Sequence, residues 1–279
     1  MVTEKELFEK INSGEITQKE VIDNGWLLSV TNRIKKVKQP RGGYLRPRDF
    51  EVTKLQGGGE EDLSPNENVN AGLVSSAVDY LTRIQTGADQ NDVFIAAITG
   101  AMNVKEWPLC RELLIDVCDL GDKSIEAAIK LSGFDSAFRA GKAAYRPVGE
   151  IEPNRETIEN VRKMVNRSVL FFDQYGPKVL DGLTFEGGYT GYVVAGDGDF
   201  LTKDTLWDFK VSKQKPSTKH TLQLLMYWRM GLHSVHSDDY KGVKYLGLYN
   251  PRQNAMYRFP VSEISPETIA EVETKVIGY

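Results

Sequence analysis

An acid and a lysine stand two residues apart in an apolar segment of the chain, residues 205–211. In a β-strand the side chains alternate between two faces, so Asp208 and Lys210 would share one face, opposite Trp207 and Phe209. Burying either charge costs several kcal/mol unless it is paired or bound to a metal. The spacing therefore fits a buried ion pair or a metal site; a simple salt bridge on an exposed face is the alternative, and the flanking aromatic residues disfavour full exposure.

A second acid, Asp199, precedes this segment in a glycine-rich run, residues 196–199. A tight hairpin at 203–204 would place Asp199 and Asp208 on neighbouring strands. Two carboxylates held together repel each other, and a shared divalent cation is the usual reason for keeping them close. Alternatively the run is only a turn or a bulge, because glycine weakens strands.

Two polar residues lie on the helix predicted after these strands, at about 217–232. Gln223 and Tyr227 are four positions apart and so share one helix face, while Leu222, Leu225 and Met226 mark the core side. By itself this pair is typical of surface or core-rim positions.

The elements around these residues follow a recognisable order. Hydrophobic spacing and turn residues predict a helix at 155–173, strands at 183–188, 190–202 and 205–211, the helix at 217–232, strands at 243–249 and 255–261, and a last helix after Ser265. The order is helix, three strands, helix, strand.

Three motifs occur in this order along the chain: G-x-x-D (Gly196, Asp199), D-x-K (Asp208, Lys210) and Q-x-x-x-Y, the helix pair. The combination resembles the RecB-like, lambda-exonuclease-like branch of the PD-(D/E)xK nuclease superfamily over roughly residues 150–261. The resemblance implies an α/β fold. Residues 149–279 would form a PD-(D/E)xK nuclease core, preceded by a mostly helical region of unknown role, residues 1–148.

The resemblance also implies Mg²⁺- or Mn²⁺-dependent hydrolysis of phosphodiester bonds. Asp199 and Asp208 would ligate the metal together with the backbone carbonyl of Phe209, and the metal would activate a bound water. Lys210 would position that water or stabilise the charge that develops on phosphorus. The helix pair, Gln223 and Tyr227, would orient the lysine or hold the phosphate backbone.

The chain departs from this pattern in two respects. Many relatives carry a histidine ligand on the helix before the first strand, but all three histidines here follow the D-x-K motif. Glu159 or Glu156 is the expected substitute, with Glu159 preferred and Glu186 of the first strand as a further candidate. Some relatives also bind an iron–sulfur cluster through cysteines. Two cysteines are too few for that, so no cluster is expected.

The net charge and the local charge of the chain point in different directions on whether it binds nucleic acid. The net charge of −4 argues against binding through bulk charge. A local basic run without acids nevertheless precedes residue 50, and further lysines follow the D-x-K motif. Both sets fit phosphate contact and a solvated surface equally well. The candidate nucleic-acid-binding residues are Arg33, Lys35, Lys36, Lys38, Arg41, Arg46, Arg48, Lys213, Lys215 and Lys219.

Composition places the chain among ordinary globular proteins. It has 279 residues, 41% of them hydrophobic, which is enough for a sizeable core. The sequence has no membrane-spanning apolar run and no signal-peptide pattern, so an intracellular, cytoplasmic protein is expected. The cysteines, Cys110 and Cys118, are expected to be buried thiols.

The first half is predicted to be helical, in segments 17–24, 64–85, 91–103, 108–119 and 123–132. The favoured function is a DNA exonuclease or end-processing nuclease. Two alternatives stay open: an endonuclease of the same superfamily, and a non-catalytic nucleic-acid- or protein-binding module on the same fold. RNA as substrate, a helicase or recombination partner, and a homo-oligomer also stay open; no membrane partner is expected.

Overall fold

The structure, a computed structural model, describes residues 28–57, 62–140 and 145–279, with the side chains of 139 and 140 left out. The predicted helix at 17–24 lies outside these residues. In the part of the chain that the structure describes, no helix has the length and apolarity needed to cross a membrane.

The described helices are α1 (Val30–Lys36), α2 (Ala71–Gln85), α3 (Gln90–Val93), α4 (Ile95–Val104), α5 (Trp107–Asp116), α6 (Asp122–Ala140), α7 (Arg155–Tyr175), α8 (Thr218–His233), α9 (Ser237–Tyr240) and α10 (Pro266–Glu271), and α10 runs on into a π-helical segment, Val272–Ile277. The strands are β1 (Leu28–Ser29), β2 (Glu51–Lys54), β3 (Lys178–Leu183), β4 (Val193–Ala195), β5 (Gly198–Thr202), β6 (Thr205–Phe209), β7 (Tyr245–Asn250) and β8 (Ala255–Pro260).

Six of these strands form a mixed sheet in the order β2-β8-β7-β6-β5-β3. Strands β6 and β7 are parallel, and α8 connects them; the other neighbours are antiparallel. The protein is thus a mixed α/β protein, as expected.

Helices cover both faces of this sheet, and they decide which way the strand side chains point. On one face, Phe171 of α7 stacks on Tyr249 with ring centroids 4.1 Å apart and meets Trp207 edge-on at 4.9 Å. On the other face, Leu225 of α8 belongs to the same buried cluster as Leu206 of β6. Because side chains alternate along a strand, Asp208 must lie on the α8 face.

The helices of the first half form a separate buried cluster. It includes Phe94 between α3 and α4, together with Ile125 and Phe134 of α6. Helices α4 and α6 cross closely at Gly100, where an added Cβ would lie 1.9 Å from the carbonyl oxygen of Phe134. Glycine is therefore required at this crossing.

Residues 28–57 pack with the sheet rather than with these helices. Strand β2 pairs with β8 at the sheet edge, and Val30 and Ile34 of α1 join the buried cluster around α8. The region before residue 148 thus contributes one segment to the sheet as well as the helices of 71–140.

The helix predicted from residue 64 begins later, at Ala71, with Asn70 as its N-cap. The predicted start is held outside a helix by tertiary contacts: Asn160 exchanges hydrogen bonds with the backbone of Ser64, and Glu67 pairs with Arg252 at 2.7 Å. These long-range contacts outweigh the local capping pattern, so the helix does not begin at residue 64.

Two strand predictions were also inexact. The predicted strand at 190–202 divides at residues 196–197 into β4, which pairs with β1, and β5, which joins the main sheet. Strand β3 covers 178–183 instead of 183–188, because its partner β5 sets the register from Leu183 opposite Gly198. Cys110 is buried, but Cys118 is exposed, where the chain has already left α5.

Candidate active site

Strands β5 and β6 bring the two predicted acids together. They form a hairpin in which Phe200 pairs with Trp207 and Leu201 with Leu206, and the turn falls at 203–204 as predicted. Continuing this register by one residue puts Asp199 opposite Asp208. Both share a face with the buried leucine pair, so their Cβ atoms lie about 5 Å apart on the α8 side.

Asp208 is almost fully enclosed, at 2% relative exposure. The Lys210 ammonium donates a hydrogen bond to its Oδ1 at 3.0 Å and lies 2.9 Å from Oδ2. Both oxygens of this buried carboxylate thus lie within hydrogen-bond distance of the same ammonium group. A carboxylate offers about four lone-pair sites, so Asp208 can bind one more positive group beside the lysine.

Asp199 accepts a hydrogen bond from the backbone N–H of Phe209. Burial raises the pKa of Asp199 well above its usual range, and the neighbouring charge of Asp208 raises it further, while Lys210 and the Phe209 N–H act in the opposite direction. Burial lowers the pKa of Lys210, but the two carboxylates outweigh it and the pKa is raised. The lysine therefore stays charged. The raised pKa of Asp199 means that ionisation of both carboxyl groups at once is unfavourable in the metal-free protein.

This electrostatic conflict predicts a pH effect on stability. A carboxyl whose pKa is higher in the folded state than in the unfolded state binds more protons when folded. The free energy of unfolding of the metal-free protein should therefore fall as pH rises from about 4 through the raised pKa of Asp199. Asp199→Asn should remove most of that fall and raise the melting temperature at alkaline pH.

Thermal unfolding in EDTA between about pH 5 and pH 9 measures this effect. Asp239→Asn, at an exposed position, is the matched control and should follow the wild-type curve. If the melting temperatures of wild type and Asp199→Asn changed with pH in parallel, ionisation of Asp199 would not destabilise the folded protein.

Gln223 and Tyr227 form a short hydrogen-bonded chain. Gln223 Nε2 donates to the Tyr227 hydroxyl at 2.8 Å, and that hydroxyl donates to the carbonyl oxygen of Asp197 at 2.7 Å. The Tyr227 ring stacks on Phe185, with centroids 5.0 Å apart. In this structure the pair thus holds the glycine-rich loop that carries Asp199, a positioning contact that the motif itself did not predict.

A pocket of about 510 Å³ opens at the end of the sheet beside Asp199. Gln223 and Tyr227 of α8 line it together with three residues of α2. The α2 residues are Asp79, Thr82 and Arg83, and the charge of Asp79 contributes to the raised pKa of Asp199. These three residues were not assigned to the site from sequence, although their spacing places them on one helix face.

The glutamates proposed as the missing ligand lie elsewhere. Glu159 pairs with Arg162 at 2.5 Å. It stands thirteen residues before Phe172, the α7 residue that lines the pocket, which is about 20 Å along the helix. Glu186 is exposed and hydrogen-bonds with Thr184. Within the described residues, no group of three or more His, Cys, Asp or Glu side chains is arranged to hold a metal.

The basic residues before residue 50 differ in their surroundings. Arg33 donates to the carbonyl oxygens of Lys275 and Val276 at 2.7 and 2.8 Å, so it ties α1 to the C-terminal segment. The other members of the run are exposed: Lys35, Lys36, Lys38, Arg41, Arg46 and Arg48.

The loop between α1 and β2, which contains Leu45, packs beside the start of α8. Thr221 Oγ1 donates to the carbonyl oxygen of Leu45 at 2.6 Å. In the same helix turn, burial lowers the pKa of His220 and the charge of Lys210 lowers it further. The loop therefore lies near the Lys210 end of the sheet. Lys213, Lys215 and Lys219 are exposed in and just after the segment that leaves Lys210.

No family model, no curated protein and no solved structure matches this chain. What the site does must therefore be inferred from its own geometry and chemistry.

Proposed function

We propose that this protein is a Mg²⁺- or Mn²⁺-dependent nuclease that hydrolyses phosphodiester bonds in DNA, beginning at strand ends. One observation carries the proposal: two carboxylates, Asp208 buried and Asp199 half-buried, face each other on adjacent strands, and the charged Lys210 lies against Asp208. A protein that only binds nucleic acid has no need of this costly arrangement.

The residues present fit a hard divalent cation. Asp199 and Asp208 would hold it, and the carbonyl of Phe209 is the third candidate ligand. Mg²⁺ commonly binds one or two carboxylates and completes its shell with water and substrate phosphate, so a larger acid cluster is not required. When bound, such a cation neutralises charge on the phosphate and lowers the pKa of water.

The chain's own groups have separate roles in this proposal. Lys210, kept protonated by the acids, would hold its ammonium beside the scissile phosphate and stabilise the negative charge that develops there. Tyr227, through the carbonyl of Asp197, keeps the loop before Asp199 in place. Arg83, which also lines the pocket, would contact the phosphate backbone.

The topology supports the same class of enzyme. In chain order, α7 precedes β3, β5 and β6, α8 follows, and β7 then pairs parallel to β6. That is the order expected of a PD-(D/E)xK core, with the acids on β5 and β6 and the lysine directly after β6. Preference for a strand end rests on the likeness of the three motifs to the lambda-exonuclease-like branch.

Incubation of the protein with linear and covalently closed circular DNA, single- and double-stranded, with and without Mn²⁺, tests the proposal. We expect linear DNA to be degraded only with the metal, and circles to survive. Asp208→Asn, purified in the same way, is the control for contaminating nucleases and should be inactive.

Other outcomes have definite meanings. Cleavage of circles would make the enzyme an endonuclease of the same chemistry. Cleavage of RNA but not DNA would mean that the substrate of the enzyme is RNA. No metal-dependent cleavage of any nucleic acid would refute the catalytic proposal and favour a binding module.

A further inference from the structure

A second pocket, of about 690 Å³, lies at the far edge of the same sheet, where β2 ends and β8 begins. Its lining is rich in cations. The four described basic residues that line it are Lys54, Arg167, Lys215 and Arg252, and the one described acid in the lining is Asp62. A concave surface with this charge is suited to an anion.

Two of these cations are held rigidly. Arg252 pairs with Glu67 at 2.7 Å, with side chains only 6% and 5% exposed, and its buried Nη2 has no hydrogen-bond partner among the residues that the structure describes. Arg167 is 4% exposed and donates to the carbonyl oxygen of Pro251 at 3.1 Å. Counting Glu67 with the described lining residues, four cations face two acids, and the net charge stays positive.

The other two cations are lysines on the rim, and the ammonium of Lys54 donates a hydrogen bond to the carbonyl oxygen of Gln253 at 2.5 Å. Lys54 and Lys215 are exposed, and both reach the pocket from chain segments anchored to the β7–β8 turn. The carbonyl oxygen of Ser212 accepts hydrogen bonds from Asn250 at 2.7 Å and from Gln253 at 3.2 Å. These bonds direct the segment after Lys210 toward the pocket.

The pocket and the acid pair lie at the same end of the sheet. The strand register places Asp208 level with Leu248, Tyr257 and Val52 on successive strands. Three interstrand steps separate β6 from β2, which is about 14 Å. Lys213 and Lys215 lie on the segment between the two sites.

We infer that this second pocket binds a backbone phosphate of the nucleic-acid strand whose scissile phosphate lies at the acid pair. The inference rests on the proposed function and extends it, because it gives the substrate a minimum length. At about 3.4 Å per stacked nucleotide, the two sites are separated by roughly four nucleotides. A dinucleotide at the acid pair cannot reach the second pocket.

The test compares Lys54→Ala/Lys215→Ala with Lys203→Ala/Lys244→Ala. The second pair is matched in charge and exposure but lies at the opposite end of the sheet, before β6 and β7. Affinities for a single-stranded 12-mer and for a dinucleotide are measured at several salt concentrations in Ca²⁺, a hard cation that carboxylates bind. The pocket variant should bind the 12-mer about tenfold more weakly and lower the salt slope by about 1, whereas its dinucleotide affinity should match wild type.

The control variant should match wild type for both ligands. Equal weakening by both variants, or equal loss for dinucleotide and 12-mer, would overturn the inference. So would inorganic phosphate that competes as strongly as the 12-mer, because the pocket would then serve a free anion. If the wild type cleaves nothing but the pocket variant still loses affinity for the 12-mer alone, the catalytic proposal fails and the phosphate pocket stands.

Discussion

Lys210→Ala is expected to slow DNA cleavage by roughly 10²–10³-fold, the usual cost of removing a preorganised charge from a transition state. The substitution leaves both carboxylates in place and removes the positive charge nearest to them. Metal affinity should therefore be kept or increased. Single-turnover cleavage and metal titration on the same preparation measure both effects.

The same substitution also tests the simpler interpretation of Lys210 as a structural ion-pair partner. Asp208 is buried, so loss of its partner should lower the free energy of unfolding by about 1–3 kcal/mol in either case. Only the catalytic role predicts a slower rate per folded molecule. Lys203→Ala, an exposed lysine at the far end of β6, is the control. Wild-type cleavage by folded Lys210→Ala protein would refute the proposed mechanism.

Asp199→Asn and Asp208→Asn should each abolish cleavage and weaken metal binding more than about 100-fold, the upper range seen when only the surroundings of a metal ligand are altered. Both changes keep the side-chain volume and remove one charge of the acid pair. A metal that binds only the folded state stabilises it by RT ln(1 + [M]/Kd), so tighter binding gives a larger rise in melting temperature. Mg²⁺ or Mn²⁺ should therefore stabilise the wild type and Lys210→Ala, but neither acid variant.

Asp181→Asn provides the comparison for this experiment, because Asp181 also lines the pocket but pairs with Lys178 at 2.8 Å. It should keep the metal-induced rise in melting temperature. If the acid variants were stabilised by metal as much as the wild type, the cation site would have to lie elsewhere.

The pattern of β6 could be predicted from the sequence because it is local. Alternation of Leu206, Trp207 and Asp208 requires only the period of a strand, and the turn at 203–204 then sets the hairpin register. For the same reason the helical spacing of Gln223 and Tyr227 was sufficient to put them on one face of α8. The sequence thus predicted which residues could meet at the hairpin, and the structure places them together.

Tertiary structure decided what surrounds that pair. Asp79 and Arg83 reach the pocket because α2 packs against α7, a contact between distant segments that no local spacing encodes. Residues 64–70 stay outside α2 because Asn160 and Arg252 supply partners from far along the chain. Glu159 has a suitable side chain on a suitable helix, yet it stands about 20 Å from the pocket because only the far end of α7 faces the site. The sequence was sufficient to predict side-chain chemistry and which residues share one face of a strand or helix. The positions of those faces relative to each other depended on how the separate elements pack.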